Sequence, residues 1–390
     1  MLEKIAHGHL VHSYNYSDIF PTTPSLLENG RSLCLGSFVL RIKNVEIFDM
    51  YGIETEEQLE QILSEPTPGV IEALRVLPGA VAVLGVGGKM GPTLARMIRR
   101  ALDSLGRSDP VYGIARFSTP STAEHLRKFG IEPVTTDLLD RVAVANLPDA
   151  PNVIFMAGQK FGTSQGPDLT WAMNTLVPAH TAERYATSRI VAFSTGCVYP
   201  LAPITGNGAR EEDLLGPPGD YANSCVGRER IFTHFAKRNG TRVALVRLNY
   251  AIDLRYGVLI DLAQKIINGE PIDITMGYAN IIWQRDANAQ AIQCLAHAAS
   301  PPFIINVTGR EILSLRNLAT RLGQQLGKAP VLVGQEASTA WISNPTKAYQ
   351  LFGPPTANVD QLITWVAEWV KHGGATLNKP THFEVRDGQF

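Results

Sequence analysis

Net charge, long apolar runs and cysteine are all scarce in this chain. Lysine and arginine number 35 against 36 aspartate and glutamate, a formal net charge of −1. Such a balance creates no whole-molecule field for nucleic acid or an anionic membrane, so neither is expected as a partner and a small molecule is. The most apolar run, Ala80 to Gly88, is too short to span a bilayer. The start, Met1-Leu-Glu-Lys-Ile-Ala-His7, lacks the apolar stretch of a signal peptide. The four cysteines (Cys34, Cys197, Cys225, Cys294) form no C-x-x-C pair, which excludes the common zinc and dithiol motifs and suits reduced thiols in the cytoplasm. His7, His9 and His12 cluster without an acid or cysteine to complete a ligand set, so no metal is expected. Repeats, low-complexity tracts and a nucleophile elbow are also missing.

What is present is 45% hydrophobic and 18% charged, the balance of a soluble globular protein. At 390 residues, a large domain with a smaller companion is expected. Residues 1–78 read as an N-terminal extension packed on the main domain. It holds strand-like runs at Ser37–Ile42 and Val45–Met50 that suit a hairpin. Thr55 with Gln58 forms a capping-box pattern opening a helix over Glu56–Ser64, and Thr67-Pro68 opens another that ends near Pro78-Gly79.

From Gly79, apolar strands alternate with amphipathic helices. Strands are expected at Val81–Leu84, Val111–Ala115, Ile131–Val134, Val153–Ala157, Ile190–Ser194 and Val243–Leu248. The intervening helices include Met90–Leu105, Leu169–Thr187 and Tyr221–Arg238. Continuously apolar strands between helices imply an α/β fold, a Rossmann-like doubly wound parallel sheet covered on both faces. The expected organisation is a dinucleotide-binding domain over 79–250, mainly a smaller C-terminal substrate lobe over 251–372, and a tail over 373–390. Ligands of such folds sit at the carboxyl edge of the sheet.

Gly85-Val-Gly87-Gly88-Lys89-Met90-Gly91 lies between the first strand and its helix. Glycines there allow a tight turn and let a pyrophosphate approach backbone amides at a helix N-terminus. The spacing Gly85-x-x-Gly88-x-x-Gly91 resembles the loop of the extended short-chain dehydrogenase/reductases, the NAD(P)-dependent epimerase/dehydratase family. Further segments resemble that family in the same order, covering about 79–372. Asp137, followed by Leu138, matches its adenine-contacting aspartate. Ala157-Gly158 matches the strand end beside the cofactor, and Asn174 an asparagine on the next helix. Thr195 falls where the family carries its catalytic serine or threonine. Tyr221-Ala-Asn-Ser-Cys225 resembles Y-x-x-x-K, with cysteine in place of lysine.

The resemblance implies an NAD(P) cofactor on Gly85, Gly87, Gly88, Lys89, Met90 and Gly91, with Asp137, Leu138, Ala157, Gly158 and Asn174 around it. The second strand ends in Arg116 with no acid, a pattern that suits the 2′-phosphate of NADP better than the ribose of NAD. The resemblance also implies that Tyr221 exchanges a proton with a substrate oxygen that Thr195 hydrogen-bonds. A free tyrosine titrates near pH 10, so only about a thousandth is ionised at pH 7. Lys160, Lys89, Cys225 or Cys197 are the candidates to replace the missing lysine; the preferred arrangement has Lys160 do so in part, with Cys225 inside the catalytic group. Asn249, Tyr250 and Arg255 stand where the family meets substrate. The expected substrate is carbohydrate-like: a sugar, sugar acid or nucleotide sugar. Smaller molecules are preferred, because the stretch from Ala251 to Asn268 is short and Ala279 stands near an expected arginine. A homodimer is implied by the resemblance. The rival expectation is a catalytically inactive NADP(H) sensor or scaffold. The residues of the tail from Thr381 to Phe390 either fold over the site, cross a dimer interface or lie in solvent.

Overall fold

The computed structural model describes residues 52–389. The expected hairpin, Cys34 and the histidine cluster lie outside the described residues. Seven strands form one parallel sheet: β1 (Val81–Leu84), β2 (Val111–Ala115), β3 (Glu132–Thr135), β4 (Asn152–Phe155), β5 (Arg189–Thr195), β6 (Arg242–Leu248) and β7 (Phe303–Val307). Their order is β7-β6-β5-β4-β1-β2-β3, so the chain reverses direction across the sheet between β1 and β4. That crevice, at the carboxyl ends of the strands, is where doubly wound folds bind ligands.

Period-two alternation explains why the inner strands are apolar on both faces, whereas the edge strand β3 is partly exposed. Val81 and Val83 point into one core while Ala82 and Leu84 point into the other. The first core is closed by α3 (Gly91–Ser104) and by the later helix Gln284–Gln293. The second is closed by the run Pro167–Trp171, Ala172–Leu176, Val177–Arg184 and by α6 (Asp220–Asn239). We label Pro167–Trp171 α4 and Val177–Arg184 α5; the segment Ala172–Leu176 between them is a π-helical turn.

Two features add to the expected organisation. The sheet takes β7 from within the stretch expected to be mainly lobe: Phe303–Val307 pairs in parallel with β6, and Ile305 and Val307 are fully buried in the sheet's core. A short apolar run of this kind gives no sign in sequence of which sheet it will join. The described part of the N-terminal extension is likewise divided. Helix α1 (Glu56–Leu63) has the predicted capping box at Thr55 and Gln58, but Leu59 and Leu63 enter the core of the lobe. Helix α2 (Pro68–Arg75) instead buries Val70 and Leu74 against the sheet layer. The lobe core also holds α7 (Val258–Asn268), Leu315–Leu326 and Val359–Lys371.

Candidate functional site

The glycine loop is shaped by backbone contact. Gly85 has φ +85°, and a Cβ on it would stand 2.6 Å from the Ala157 amide nitrogen. A Cβ on Gly91 would clash with the Val86 carbonyl, so β1 and α3 pack without a side chain between them. Gly87 and Gly88 differ, because a Cβ on either meets only ordinary contacts, at 3.5 and 3.4 Å. The protein's own packing therefore does not require these two glycines, whereas a ligand pressed onto the backbone would. Helix α3 follows Met90, which makes no side-chain cap, and has proline in its first turn, so its N-terminal dipole faces the loop. The loop fits a dinucleotide's pyrophosphate.

Around it, Ala115 at the end of β2 lies 3.5 Å from the position of a Gly87 Cβ, and the next residue, Arg116, is exposed. Asp137 is exposed and its carboxylate accepts from the Leu139 amide, while Leu138 is buried. Ala157 and Gly158 close the opposite side at the end of β4. Asn174 is fully buried on the π turn: it accepts from the Gln159 amide at 3.1 Å and donates to the Gln159 carbonyl at 3.0 Å. Its amide also donates to Ser224 at 2.9 Å.

Tyr221 rises from the first turn of α6 and lies close to Thr195 at the end of β5. Cys225, one turn on, packs with Tyr221, and the Cys197 backbone amide donates to the Thr195 hydroxyl at 3.1 Å. The structure thus gathers Thr195, Tyr221, Cys225 and Cys197 into one cluster, in which Thr195 and both cysteines are buried and Tyr221 is half-buried. Burial, the largest influence, pushes the Tyr221 phenol well above its usual value and raises both thiols, so all three are protonated. Lys160 is beside them: its ammonium is 5.9 Å from the Tyr221 ring centre and donates to the Thr381 carbonyl at 3.0 Å. Burial lowers its pKa as well. Lys89 sits 3.1 Å over the Tyr256 ring and 4.6 Å from Phe161. Burial, with Lys160 and Lys379 nearby, brings Lys89 down to about 7.

The three expected substrate residues diverge. Tyr250 packs with Tyr221 and Cys197. Asn249 is buried and its amide donates to the Trp341 carbonyl at 2.9 Å. Arg255 is committed to Glu60 at 2.7 Å and Asp253 at 3.0 Å, and it lines a cleft of about 400 Å³ with Asp261, Lys265, Lys379 and Glu384. Neither Tyr221 nor Thr195 lines that cleft.

Two features had no motif. Arg228 lies two turns after Tyr221 on α6 and donates to the Phe193 carbonyl at 2.8 Å and to Asn174. Its seven-residue offset from Tyr221 is the only signal that placed it on that face. The tail is ordered rather than solvated. Asp261 on α7 accepts from both the amide and hydroxyl of Thr381, at 2.7 and 2.5 Å, Trp341 donates to the Val385 carbonyl at 3.1 Å, and Gly388 packs on Pro218-Gly219, just before Tyr221. Among the described residues no group of histidine, cysteine or acid side chains could hold a metal, and no helix is long and apolar enough to cross a membrane.

Solved structures share this architecture. A Thermus thermophilus UDP-glucose 4-epimerase in complex with NAD superposes with TM-score 0.63 at 19% identity, covering 75% of this chain and 99% of its own. DesIV, a dTDP-glucose 4,6-dehydratase from Streptomyces venezuelae, gives 0.64 at 18%, covering 75% and 97%. A Thermotoga maritima UDP-glucose 4-epimerase gives 0.62 at 16%, covering 75% and 99%. At such identities these likenesses establish the fold. No curated protein matches the sequence. The profile of the NAD dependent epimerase/dehydratase family matches residues 81–275, half of the 390-residue chain and the half that carries the glycine loop, Thr195 and Tyr221, and the chain belongs to that family.

Proposed function

We propose that this chain binds NADP(H) on the Gly85–Gly91 loop and, as an oxidoreductase or epimerase, holds the oxygen of a carbohydrate-like alcohol or ketone between Tyr221 and Thr195. The observation that carries this reading is the closeness of the Tyr221 side chain, on the first turn of α6, to Thr195 at the end of β5, beside the crevice. When bound, the nicotinamide ring would supply a reversible hydride acceptor or donor. The amides of the loop and the N-terminus of α3 hold the bridging phosphates, with Lys89 adding positive charge. Asp137, Leu138, Ala157, Gly158 and Met90 line the rest of the cofactor, and Asn174 braces the Gln159 segment.

Because its surroundings keep Tyr221 protonated, its first act is to donate to a substrate carbonyl oxygen, which Thr195 also polarises. In the reverse direction it must lose that proton, and a nearby cation lowers the cost of doing so. Gly196 and Cys197 follow Thr195 with no carboxylate, which argues against the dehydratase variant.

Arg116, exposed at the end of β2 with no acid beside it, supports NADP over NAD. The ordered tail and the ion pairs that occupy Arg255 support a smaller sugar, sugar acid or polyol rather than a nucleotide sugar. Exposed Leu169, Trp171 and Leu176 on the run before β5 support a homodimer through that run and α6. The free, buried cysteines Cys197, Cys225 and Cys294 suit a reducing cytoplasm.

Cys225 favours one rival, a sensor or scaffold that binds NADP(H) without turnover. Fluorescence titration with NADPH, followed by absorbance assays on a panel of sugars, sugar acids and keto compounds, separates the two. An enzyme consumes cofactor with at least one compound, whereas binding without consumption across the panel supports the sensor. No NADPH binding overturns both.

A further inference from the structure

We propose that Arg228 is the positioning cation of this site, a permanently charged guanidinium that takes the electrostatic place Cys225 leaves empty. This rests on the reading of Tyr221 and Thr195 given above.

The guanidinium is buried, with 6% of the residue exposed, and no carboxylate is within ion-pair reach among the described residues. The neighbouring Glu229 is engaged elsewhere, by Arg247 at 2.7 Å and Ser194 at 2.6 Å. Arg228 is satisfied only by neutral acceptors, the Phe193 carbonyl and the Asn174 side chain, and its Nε has no partner. An uncompensated buried cation is costly, and removal of nearby negative charge would make it costlier still. The groups on its helix face that can become negative are the thiol of Cys225, one turn nearer, and the phenol of Tyr221, together with an oxygen held between Tyr221 and Thr195.

Its placement is specific. Phe193 is two residues before Thr195 on β5, and a Cβ on Gly158 would clash with the guanidinium, so Arg228 lies against the strand end that faces the crevice. Tyr221, Cys225 and Arg228 follow one another along one face of α6. Asn174 links Arg228 to Ser224, which in turn donates to the Tyr221 carbonyl at 2.7 Å, so the cation and the turn carrying Tyr221 are braced as one unit. The π turn presents Asn174 to this junction, a distortion often found at functional sites. Lys160 is the weaker candidate, because a lysine in buried surroundings can shed its proton and a guanidinium cannot.

The test reads the ionisation of the tyrosine itself and needs neither substrate nor cofactor. A fluorinated tyrosine of lower intrinsic pKa is incorporated at position 221, and its fluorine NMR shift is followed against pH. In Arg228→Met the ionisation should move upward by about one pH unit or more, and in Arg228→Lys by less. Asn174→Asp, which keeps the arginine but neutralises its field, should also move it upward, and it decides the matter if Arg228→Met does not fold. An unchanged titration in a cooperatively melting Arg228→Met, or in Asn174→Asp when the former is unfolded, overturns the proposal. Turnover by Tyr221→Phe at the wild-type rate would remove the functional reading and leave the fluorine titration as it was, so the two failures are distinguishable.

Discussion

The two ends of the crevice are built by different means. The end proposed for the phosphates is backbone: glycines, amides and a helix terminus, with sterics that tolerate almost no substitution at Gly85 or Gly91. The tyrosine end is side chains: Thr195, Tyr221, Cys197, Cys225 and Lys160, drawn from two strand ends and one helix. The first follows its family's pattern and the second departs from it at Cys225. A backbone site has few sequence solutions, whereas a charge near a phenol can be supplied from several positions.

The largest effect that would sharpen this contrast is at the tyrosine end. Once a turned-over substrate is found, Tyr221→Phe should lower kcat by about 10²–10⁴-fold with NADPH affinity retained, because only the proton-bearing hydroxyl is lost. Equal loss of cofactor affinity would show that the two ends are not separable. At the phosphate end, Gly85→Ala forces a Cβ toward the Ala157 backbone at a positive φ, and about 1–3 kcal/mol of stability should be lost. Calorimetry reads that loss, and NADPH titration should show weakened binding alongside it.

Arg116→Ala should weaken NADPH by about tenfold while leaving NADH nearly unchanged, since the ionic contact concerns only the 2′-phosphate. Equal loss for both dinucleotides would refute the NADP preference. The smallest effect is in pH. Lys89 has its pKa lowered to about 7, so in the free protein it loses its proton as pH rises through that value. A phosphate bound beside it favours the charged form, so binding must then take up a proton. Affinity is therefore highest below pH 7 and should fall by up to about tenfold per pH unit above it. Lys89→Met should flatten that slope in the same titration.

Legibility in the sequence tracked locality. The capping box at Thr55 and Gln58, the strand alternation and the glycine loop depend on residues within one turn or one strand of each other, and the structure has them where the pattern put them. Thr195 and Tyr221 were readable as candidates because each sits in a patterned segment, and the fold brings the two segments together. Arg228 was not readable, since inside an amphipathic helix it looks like any solvated arginine until β5 and the π turn are packed over it. The tail shows the same limit, for nothing local to Thr381 announces Asp261 or Lys160 as partners.

By itself, then, the sequence determined the parallel α/β sheet and the glycine loop and named a candidate hydroxyl pair, because periodicity, turn geometry and motif spacing are short-range properties. Tertiary structure alone decided that β7 returns to the sheet, that α1 belongs to the lobe core, that the tail reaches Lys160 and that Arg228 is buried without a carboxylate. Those outcomes depend on which distant surfaces exclude water from one another, and burial is what turns an ordinary arginine into a source of field.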